Sequence, residues 1–387
     1  MNEITVLVLK SAIGDAESRI QWEAFETRVK GETSFVLKRV ENPADADFVF
    51  LSTGGVEQFY ADHYREMPRA IFAPRMTNAY AAMNEIRGFL AKHGARVFCS
   101  GDMGVGLDEF LRIARARRLI REAKITMFGA PAPWLVASFP SRDLLRAKFG
   151  ISLEPVPWEA LHWASVQLPQ AFEKKWQDYP SSGVNGGDLR RACQLSFALL
   201  DWVRDNGVDA VMVGCFPLLS QHVSACLAVS DLLDDGIAAA CENDICSVMA
   251  MLTAMNLGAC EIPPWMANLV DIQGDTITLQ HCTIGKRGLK ACQVMTHFES
   301  GANAAVAGTL GRNEPVTVFR FDESFDQACI VEGVVTESGP NPLGCRTSAT
   351  IRLDGPFPTP LGNHHILLSG HLGHILRGFC RMMGISS

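Results

Sequence analysis

The sequence has no run of about 20 consecutive apolar residues, the length that a helix needs to cross the hydrocarbon core of a bilayer. Its N-terminal stretch, MNEITVLVLKSAIGDAESR, contains only a short apolar run before polar residues begin, which is not typical of a secretion signal. We therefore expect a cytoplasmic protein that has no membrane partner.

The sequence also has no excess of basic residues. Lysine and arginine together number 35 against 42 aspartates and glutamates, which gives a formal net charge of −7. Proteins that bind nucleic acids or anionic membranes usually carry a basic surface. The composition therefore argues against both of these partners, and we expect a small-molecule partner.

Paired cysteine motifs and nucleotide-binding motifs are missing as well. The 12 cysteines are scattered without CxxC pairs and lie mostly in apolar runs, a pattern that favours buried free thiols over disulfides. The loop STGGVE (52–57) lacks the GxGxxG and Walker spacings, so we assign it no role in nucleotide binding.

The chain is long and apolar enough to form two or three domains, because 48% of its 387 residues are hydrophobic. In the first two thirds, short β-branched runs alternate with helical stretches, which predicts parallel α/β domains over 1–122 and 123–264. From about residue 265, short strands separated by turn residues predict a β-rich, antiparallel and barrel-like domain over 265–387. The chain ends in an amphipathic helix. The predicted fold class is therefore α/β with a β-rich C-terminal domain.

Several polar loops follow predicted strands. Open parallel sheets bind their ligands outside the carboxyl ends of the strands, where such loops converge. A single loop of this kind does not establish a ligand site, since glycine and proline are common in such turns for conformational reasons. The loops are STGGVE (52–57), FGAPAPW (128–134), VGCFPL (213–218) and ACEND (240–244).

The stretch AACENDICS (239–247) carries two carboxylates with different expected roles. Asp244 directly precedes the apolar helical run ICSVMAMLTAMNLG, and we expect it to be the N-cap of that helix. Glu242 instead ends an apolar strand at the carboxyl edge of the sheet. We therefore expect its side chain to face the ligand crevice.

Four histidines late in the chain are candidate ligands: His281, His297, His364 and His365. Neutral imidazoles combined with carboxylate oxygens suit Mn²⁺, Mg²⁺ or Co²⁺ better than they suit soft metals. A hydrogen-bonded structural role remains open for each of them. Because neighbouring strand residues point to opposite faces, at most one of His364 and His365 should reach a metal directly.

Several segments in order resemble a known family. GIAAACENDICSVMAMLTAMNLG, PPWMANLVDI, ITLQHCTIG and LGNHHILLSGHLGHILRGFCRMMGI are similar to segments of the L-fucose isomerase and L-arabinose isomerase superfamily, in particular the fucose isomerase-like proteins. The resemblance covers most of the chain, closely from about residue 210 onward. It implies two α/β domains, a β-rich C-terminal domain, a Mn²⁺-type site between the last two domains, and trimers or hexamers.

The same resemblance implies the interconversion of aldoses and ketoses. In this chemistry a divalent metal holds two oxygens of the open-chain sugar, and carboxylates move a proton between C1 and C2 through a cis-enediol(ate). Carried over onto this sequence, Glu242 is a metal ligand and acid/base, and His281 is a further ligand. The C-terminal histidine ligand falls on His364 or His365, and the second acidic ligand falls on Asn268.

The asparagine at position 268 departs from the family's pattern. Its amide oxygen can bind a hard cation, but it cannot take up a proton at neutral pH. A second base must then come from elsewhere, and Glu299 and Asp271 are the candidates. We favour Glu299, since it lies two residues from His297 and would share a face of an extended strand with it. A strand-end turn at this position remains the alternative.

Three residues are candidates for substrate binding: Trp134, His297 and Arg346. The Trp134 ring offers an apolar face to a sugar, and the Arg346 guanidinium could bind a carboxylate, phosphate or sulfonate. Packing of the ring and binding of a backbone carbonyl by the guanidinium are the alternatives. The substrate class is therefore an open-chain sugar or an acidic sugar derivative.

The sequence thus predicts an enzyme, a metal-dependent ketol isomerase that acts on such a sugar. A metal-dependent epimerase or carbon–carbon lyase is an alternative, because Asn268 removes one base. A sugar-binding protein of the same fold without catalysis is another alternative, from a different functional class.

Overall fold

The computed structural model describes residues 2–258, 260 and 262–387. The chain forms two compact units, one made of residues up to Arg121 together with His374–Ser387, and one made of Glu122–Gly373. The predicted domain boundaries after residues 122 and 264 stay predictions. None of the helices that the structure describes is long and apolar enough to cross a membrane.

The first unit contains a five-stranded parallel sheet in the order β2-β1-β3-β4-β5. The central strand β3, FVFL, is buried at every position, as expected for a parallel strand that is covered on both faces. The elements are β1 (Glu3–Leu9), α1 (Asp15–Glu32), β2 (Val36–Val40), β3 (Phe48–Leu51), α2 (Glu57–Asp62), β4 (Ala70–Phe72), α3 (Asn78–Lys92), β5 (Phe98–Cys99) and α4 (Leu107–Glu122).

The second unit begins with a four-stranded parallel sheet in the order β10-β9-β6-β7. The strands β9 and β10 are also buried throughout. The elements are β6 (Ile125–Phe128), α5 (Arg142–Phe149), β7 (Leu153–Val156), α6 (Gln170–Gln177), β8 (Ser181–Ser182), α7 (Gly186–Asn206), β9 (Ala210–Val213), α8 (Phe216–Leu219), α9 (Cys226–Asp234), β10 (Ala238–Cys241) and α10 (Ile245–Asn256).

The rest of the second unit includes a closed antiparallel six-stranded barrel, in the order β11-β12-β17-β16-β15-β18. A three-stranded sheet in the order β14-β13-β8 pairs β13 antiparallel with β14 and parallel with β8. Alternating burial along β12 places Ile277 and Leu279 in the buried apolar cluster of the barrel, because successive strand residues face opposite sides. The elements are β11 (Trp265–Gln273), β12 (Thr276–His281), β13 (Ala291–Met295), β14 (Ala305–Thr309), β15 (Pro315–Phe321), β16 (Ala328–Pro340), β17 (Thr347–Leu353) and β18 (His364–Ser369). The C-terminal helix α11 (Gly373–Met383) belongs, from His374 onward, to the first unit.

The predicted fold class is confirmed: two parallel α/β sheets are followed by an antiparallel β-barrel. The four loops singled out in the sequence follow β3, β6, β9 and β10, at the carboxyl ends of parallel strands. The prediction about cysteines is also confirmed, since all 12 are free thiols and nine of them are buried.

Candidate active site and metal centre

A left-handed backbone segment carries Glu242 at the carboxyl end of β10. Glu242 and Asn243 have φ angles of 60° and 58°, a conformation that costs free energy in residues other than glycine. The Asn243 side chain offsets part of this cost, because its Nδ2 donates to the carbonyls of Phe128 at 3.1 Å and Gly129 at 3.2 Å. The carbonyl of Glu242 accepts a hydrogen bond from the Ala132 N–H at 3.1 Å. The loop after β6 thus fixes the peptide that carries the glutamate.

Gly214, in the loop after β9, leaves room for this arrangement. A Cβ at this position would lie 2.3 Å from the Ala130 carbonyl oxygen and 2.7 Å from Nδ2 of Asn243. We expect Gly214→Ala to lower the free energy of unfolding by about 2 kcal/mol through overpacking. Gly186→Ala is the matched control, since its Cβ would meet nothing within 4 Å. Equal stability of the two variants in urea denaturation would contradict this prediction.

Glu242, His281 and His364 come together in one buried cluster. Oε1 of Glu242 lies 4.0 Å from Nε2 of His281 and 3.8 Å from Nε2 of His364. One ligand atom from each of the three residues lies within 4.8 Å of the others. Two imidazole nitrogens and a carboxylate oxygen at this spacing surround a position that a divalent cation can occupy.

The hydrogen bonds of the two histidines fit a metal at this position. The Nε2 atoms of His281 and His364 are buried and have no hydrogen-bond partner within residues 2–258, 260 and 262–387, although buried polar atoms are normally satisfied. Nδ1 of His364 lies 2.9 Å from Oδ2 of Asp244. Because a carboxylate only accepts, Nδ1 carries the proton and Nε2 presents its lone pair. Nδ1 of His281 lies 2.9 Å from Oγ1 of Thr283.

Asp244 uses both of its carboxylate oxygens. Oδ1 accepts a hydrogen bond from the Ser247 N–H at 2.7 Å, which confirms the predicted N-cap of α10. Oδ2 holds His364 and lies 3.8 Å from Nη1 of Arg320. Burial acts to raise the pKa of Asp244, but the hydrogen bond from His364 and the charge of Arg320 hold that pKa below its ordinary value. The orienting role of Asp244 and its support by Arg320 were not predicted.

His365 lies on the other face of β18. Its Nδ1 lies 3.1 Å from the Asn363 carbonyl oxygen, and its ring centroid is 5.4 Å from that of Phe357. Adjacent residues in a strand point to opposite sides. The structure therefore places His364, and not His365, beside Glu242.

Asn268 lies directly opposite His364 in the antiparallel pairing of β11 with β18. Its Oδ1 accepts a hydrogen bond from Nδ2 of Asn363, and its Nδ2 lies 3.9 Å from Sγ of Cys345. The amide oxygen that would bind a cation is thus engaged by a neighbouring amide. A ligand role for Asn268 stays a prediction.

Of the two predicted conformations for His297 to Glu299, the structure shows the strand-end turn and not the favoured extended strand. β13 ends at Met295, and residues 298–300 form a turn. The turn nevertheless brings Nε2 of His297 within 3.2 Å of Oε2 of Glu299. Asp271, the other candidate base, lies exposed near the end of β11 and accepts a hydrogen bond from Gln273 at 2.8 Å.

Trp134 lies directly beside Glu242. Its indole Nε1 donates to Oε2 of Glu242 at 2.6 Å, and the residue is 51% exposed. Phe216 packs edge-to-face against Trp134 at a centroid distance of 4.6 Å, and its ring lies 6.5 Å from that of His297. The contact of Phe216 with Trp134 was not predicted, although the loop VGCFPL was singled out. The sequence did contain a signal for it, an aromatic residue in the loop after a strand.

Arg346 directs its guanidinium into the protein. Nε and Nη2 donate to the Thr296 carbonyl at 2.6 Å and to Oγ1 of Thr296 at 3.1 Å. Nη1 donates to the carbonyls of Asn341 at 3.3 Å and Pro342 at 3.0 Å. Of the two roles left open by the sequence, the geometry favours the contact with backbone carbonyls. Arg346 thereby holds Thr296, the residue that precedes His297, in position.

Burial raises the pKa of Glu242, and the charges of Asp244 and Glu299 act in the same direction. His364 and the hydrogen bond from Trp134 act to lower it. A carboxyl group with a raised pKa can give up and take back a proton closer to neutral pH, as general acid–base catalysis requires. The protein groups around Glu242 therefore by themselves favour a role in proton transfer.

Two buried histidines make the stability of the chain depend on pH. Burial lowers the pKa of His281 and of His365 to about 3, whereas histidine in an unfolded chain titrates near 6.5. The unfolded state therefore binds more protons between these values, so stability is complete above pH 6.5 and falls as the pH decreases toward 3. From pH 7 to pH 5, we expect each histidine to cost about 2 kcal/mol of unfolding free energy.

Urea denaturation at the two pH values measures this loss. The variant His365→Gln should remove about half of it, while the exposed histidine variant His93→Gln should leave it unchanged. A pH-independent stability between 5 and 7 would contradict the prediction.

Comparison with known proteins gives two distant similarities. The chain is 24% identical over 245 residues to a sulfoquinovose isomerase of Clostridium sp. (strain MSTE9), covering 60% of this chain and 53% of that protein. It is 20% identical over 195 residues to a sulfoquinovose isomerase of Alkalicoccus urumqiensis, covering 47% of this chain and 43% of that protein. The chain spans about half the length of the curated relatives it matches. No family model matches it.

Proposed function

We propose that this chain is a metal-dependent aldose–ketose isomerase that acts on an open-chain sugar through a cis-enediol(ate). The observation that carries the proposal is the buried cluster of Glu242, His281 and His364, in which two imidazole nitrogens have no protein partner among the described residues. The similarity to two proteins named sulfoquinovose isomerase supports a sugar isomerase. Mn²⁺ is the proposed metal, with Mg²⁺ and Co²⁺ as alternatives.

When bound, a divalent cation would polarise the sugar carbonyl and stabilise negative charge as the C2 proton leaves. Glu242, His281 and His364 are the residues that would hold it. Glu242 also moves the proton between C1 and C2, and Glu299 is the proposed second base, because its charge already acts on the pKa of Glu242. His297 positions Glu299 at 3.2 Å, and Trp134 holds Oε2 of Glu242 at 2.6 Å while offering an exposed ring to the sugar.

The substrate class includes acidic sugar derivatives as well as neutral aldoses. The relatives are named for sulfoquinovose, a sulfonated sugar, and we propose that this chain accepts an aldose of similar size. An assembly into trimers or hexamers likewise remains a proposal.

Incubation with Mn²⁺ and a panel of aldoses in D₂O tests the function. The panel contains sulfoquinovose, L-fucose, L-arabinose and D-mannose, and the products are analysed by NMR. We expect a ketose with solvent deuterium at C1 and recovered aldose with deuterium at C2. Carbon–carbon cleavage products, or an epimer as the only product, would overturn the proposal in favour of the lyase or epimerase alternative. Saturable sugar binding without any exchange would indicate a non-catalytic protein.

A further inference from the structure

A cavity of about 450 Å³ opens in the first unit, at the carboxyl ends of β4 and β5. Its walls come from α1, from the loops after these two strands and from the start of α4. Open parallel sheets bind small molecules at this edge. None of the residues that line the cavity belongs to the cluster of Glu242, His281 and His364.

Aromatic rings form the floor of this cavity. Phe25 and Phe72 lie with ring centroids 4.6 Å apart, and Phe72 and Phe110 with centroids 5.5 Å apart. All three residues are buried, so their rings are held in place by the surrounding core. A pocket with an apolar floor and few polar groups is typical of small-molecule sites, and such a floor favours a flat apolar ring.

Arg75 supplies a positive charge at the rim. Across residues 2–258, 260 and 262–387 its exposed guanidinium has no hydrogen-bond or ion-pair partner. It lies over the backbone of Gly101, where a Cβ would be 2.8 Å from Nη2 of Arg75 and where φ is +88°. The other rim arginine, Arg28, is paired with Glu32 through two hydrogen bonds of 3.0 Å. The charge that Arg75 brings to the rim is therefore available to a ligand.

We propose that this cavity binds a small monoanion that carries a flat apolar ring, with Arg75 pairing the anionic group and the phenylalanine floor contacting the ring. A carboxylate matches the planar fork of a guanidinium. Ser100 and Gln21 add polar groups at the rim. Binding at this cavity requires neither the metal nor the isomerase activity. The proposal can therefore be tested independently of the proposed function.

Isothermal titration of the full chain with 2-naphthoate tests the proposal, with 2-naphthalenemethanol as a neutral probe of the same ring. We expect binding of the anion, weaker binding of the alcohol, and about tenfold weaker binding of the anion to Arg75→Gln, because a charge-assisted hydrogen bond is lost. Arg19→Gln is the matched control, since it removes an exposed charge on α1 outside the cavity, and it should bind like the unaltered chain.

A second variant tests the cavity itself. Ala24→Trp introduces a large ring at an exposed wall position on α1, and we expect it to abolish binding of 2-naphthoate while leaving the unfolding temperature unchanged. No binding to the unaltered chain would overturn the proposal. Equal affinity of Arg75→Gln and Arg19→Gln would also overturn it, as would a soaked crystal with 2-naphthoate bound elsewhere.

Discussion

Glu242→Gln is expected to lower kcat/KM for aldose isomerisation by about 10³-fold. Glutamine has the same shape and can still accept the hydrogen bond from Trp134, which spans 2.6 Å in the structure. It cannot take up the C2 proton, however, and it removes the negative charge that would balance a divalent cation beside His281 and His364. Steady-state kinetics with Mn²⁺ and titration of Mn²⁺ into the metal-free chain measure the two losses.

The matched control is Glu337→Gln, which makes the same chemical change at an exposed position of β16. We expect this variant to keep full activity and full Mn²⁺ affinity. A Glu242→Gln enzyme that keeps more than a tenth of the activity would exclude Glu242 as the acid/base.

Asp244→Asn is expected to weaken Mn²⁺ binding by about 10–100-fold without unfolding the protein. Asparagine is a good N-cap, so the hydrogen bond from the Ser247 N–H can persist. Without the carboxylate at 2.9 Å from Nδ1, however, His364 is no longer held with its proton on Nδ1 and its lone pair on Nε2. Asp244→Ala should in addition cost about 3–5 kcal/mol of stability, because it leaves the charge of buried Arg320 without its acidic partner.

An N-cap elsewhere in the same unit serves as a control that separates the loss of stability from the loss of Mn²⁺ affinity. Ser141 caps α5 by accepting a hydrogen bond from the Leu144 N–H at 3.2 Å, and Ser141→Ala should cost about 1 kcal/mol of stability with no change in Mn²⁺ affinity. Equal Mn²⁺ affinity of Asp244→Asn and Ser141→Ala would contradict the orienting role of Asp244.

The fold could be predicted from the sequence because its strands show their environment locally. Runs such as FVFL and AVMV are apolar at every position, as in strands covered on both faces, whereas TITLQH alternates as in a barrel wall. The position of Glu242 beside the crevice could also be predicted locally, because a charged residue that directly follows an apolar strand lies at the edge of the sheet.

The rest of the site depends on contacts that are distant in sequence. A turn brings His297 into contact with Glu299, whereas the sequence analysis favoured an extended strand and kept the turn as the alternative. Phe216 reaches Trp134 across 82 positions of chain, and Arg320 supports Asp244 across 76. Arg320 did leave a signal, since an arginine inside the apolar strand PVTVFRF needs a buried acceptor or acidic partner.

A crystal structure of the Mn²⁺-soaked protein, with the anomalous signal of the metal, shows directly whether Glu242, His281 and His364 bind one metal ion. We predict one strong anomalous peak about 2.0–2.4 Å from a carboxylate oxygen of Glu242 and from Nε2 of both His281 and His364. An anomalous peak elsewhere, or a well-occupied water in place of a metal between these three side chains at saturating Mn²⁺, would contradict the proposed metal site.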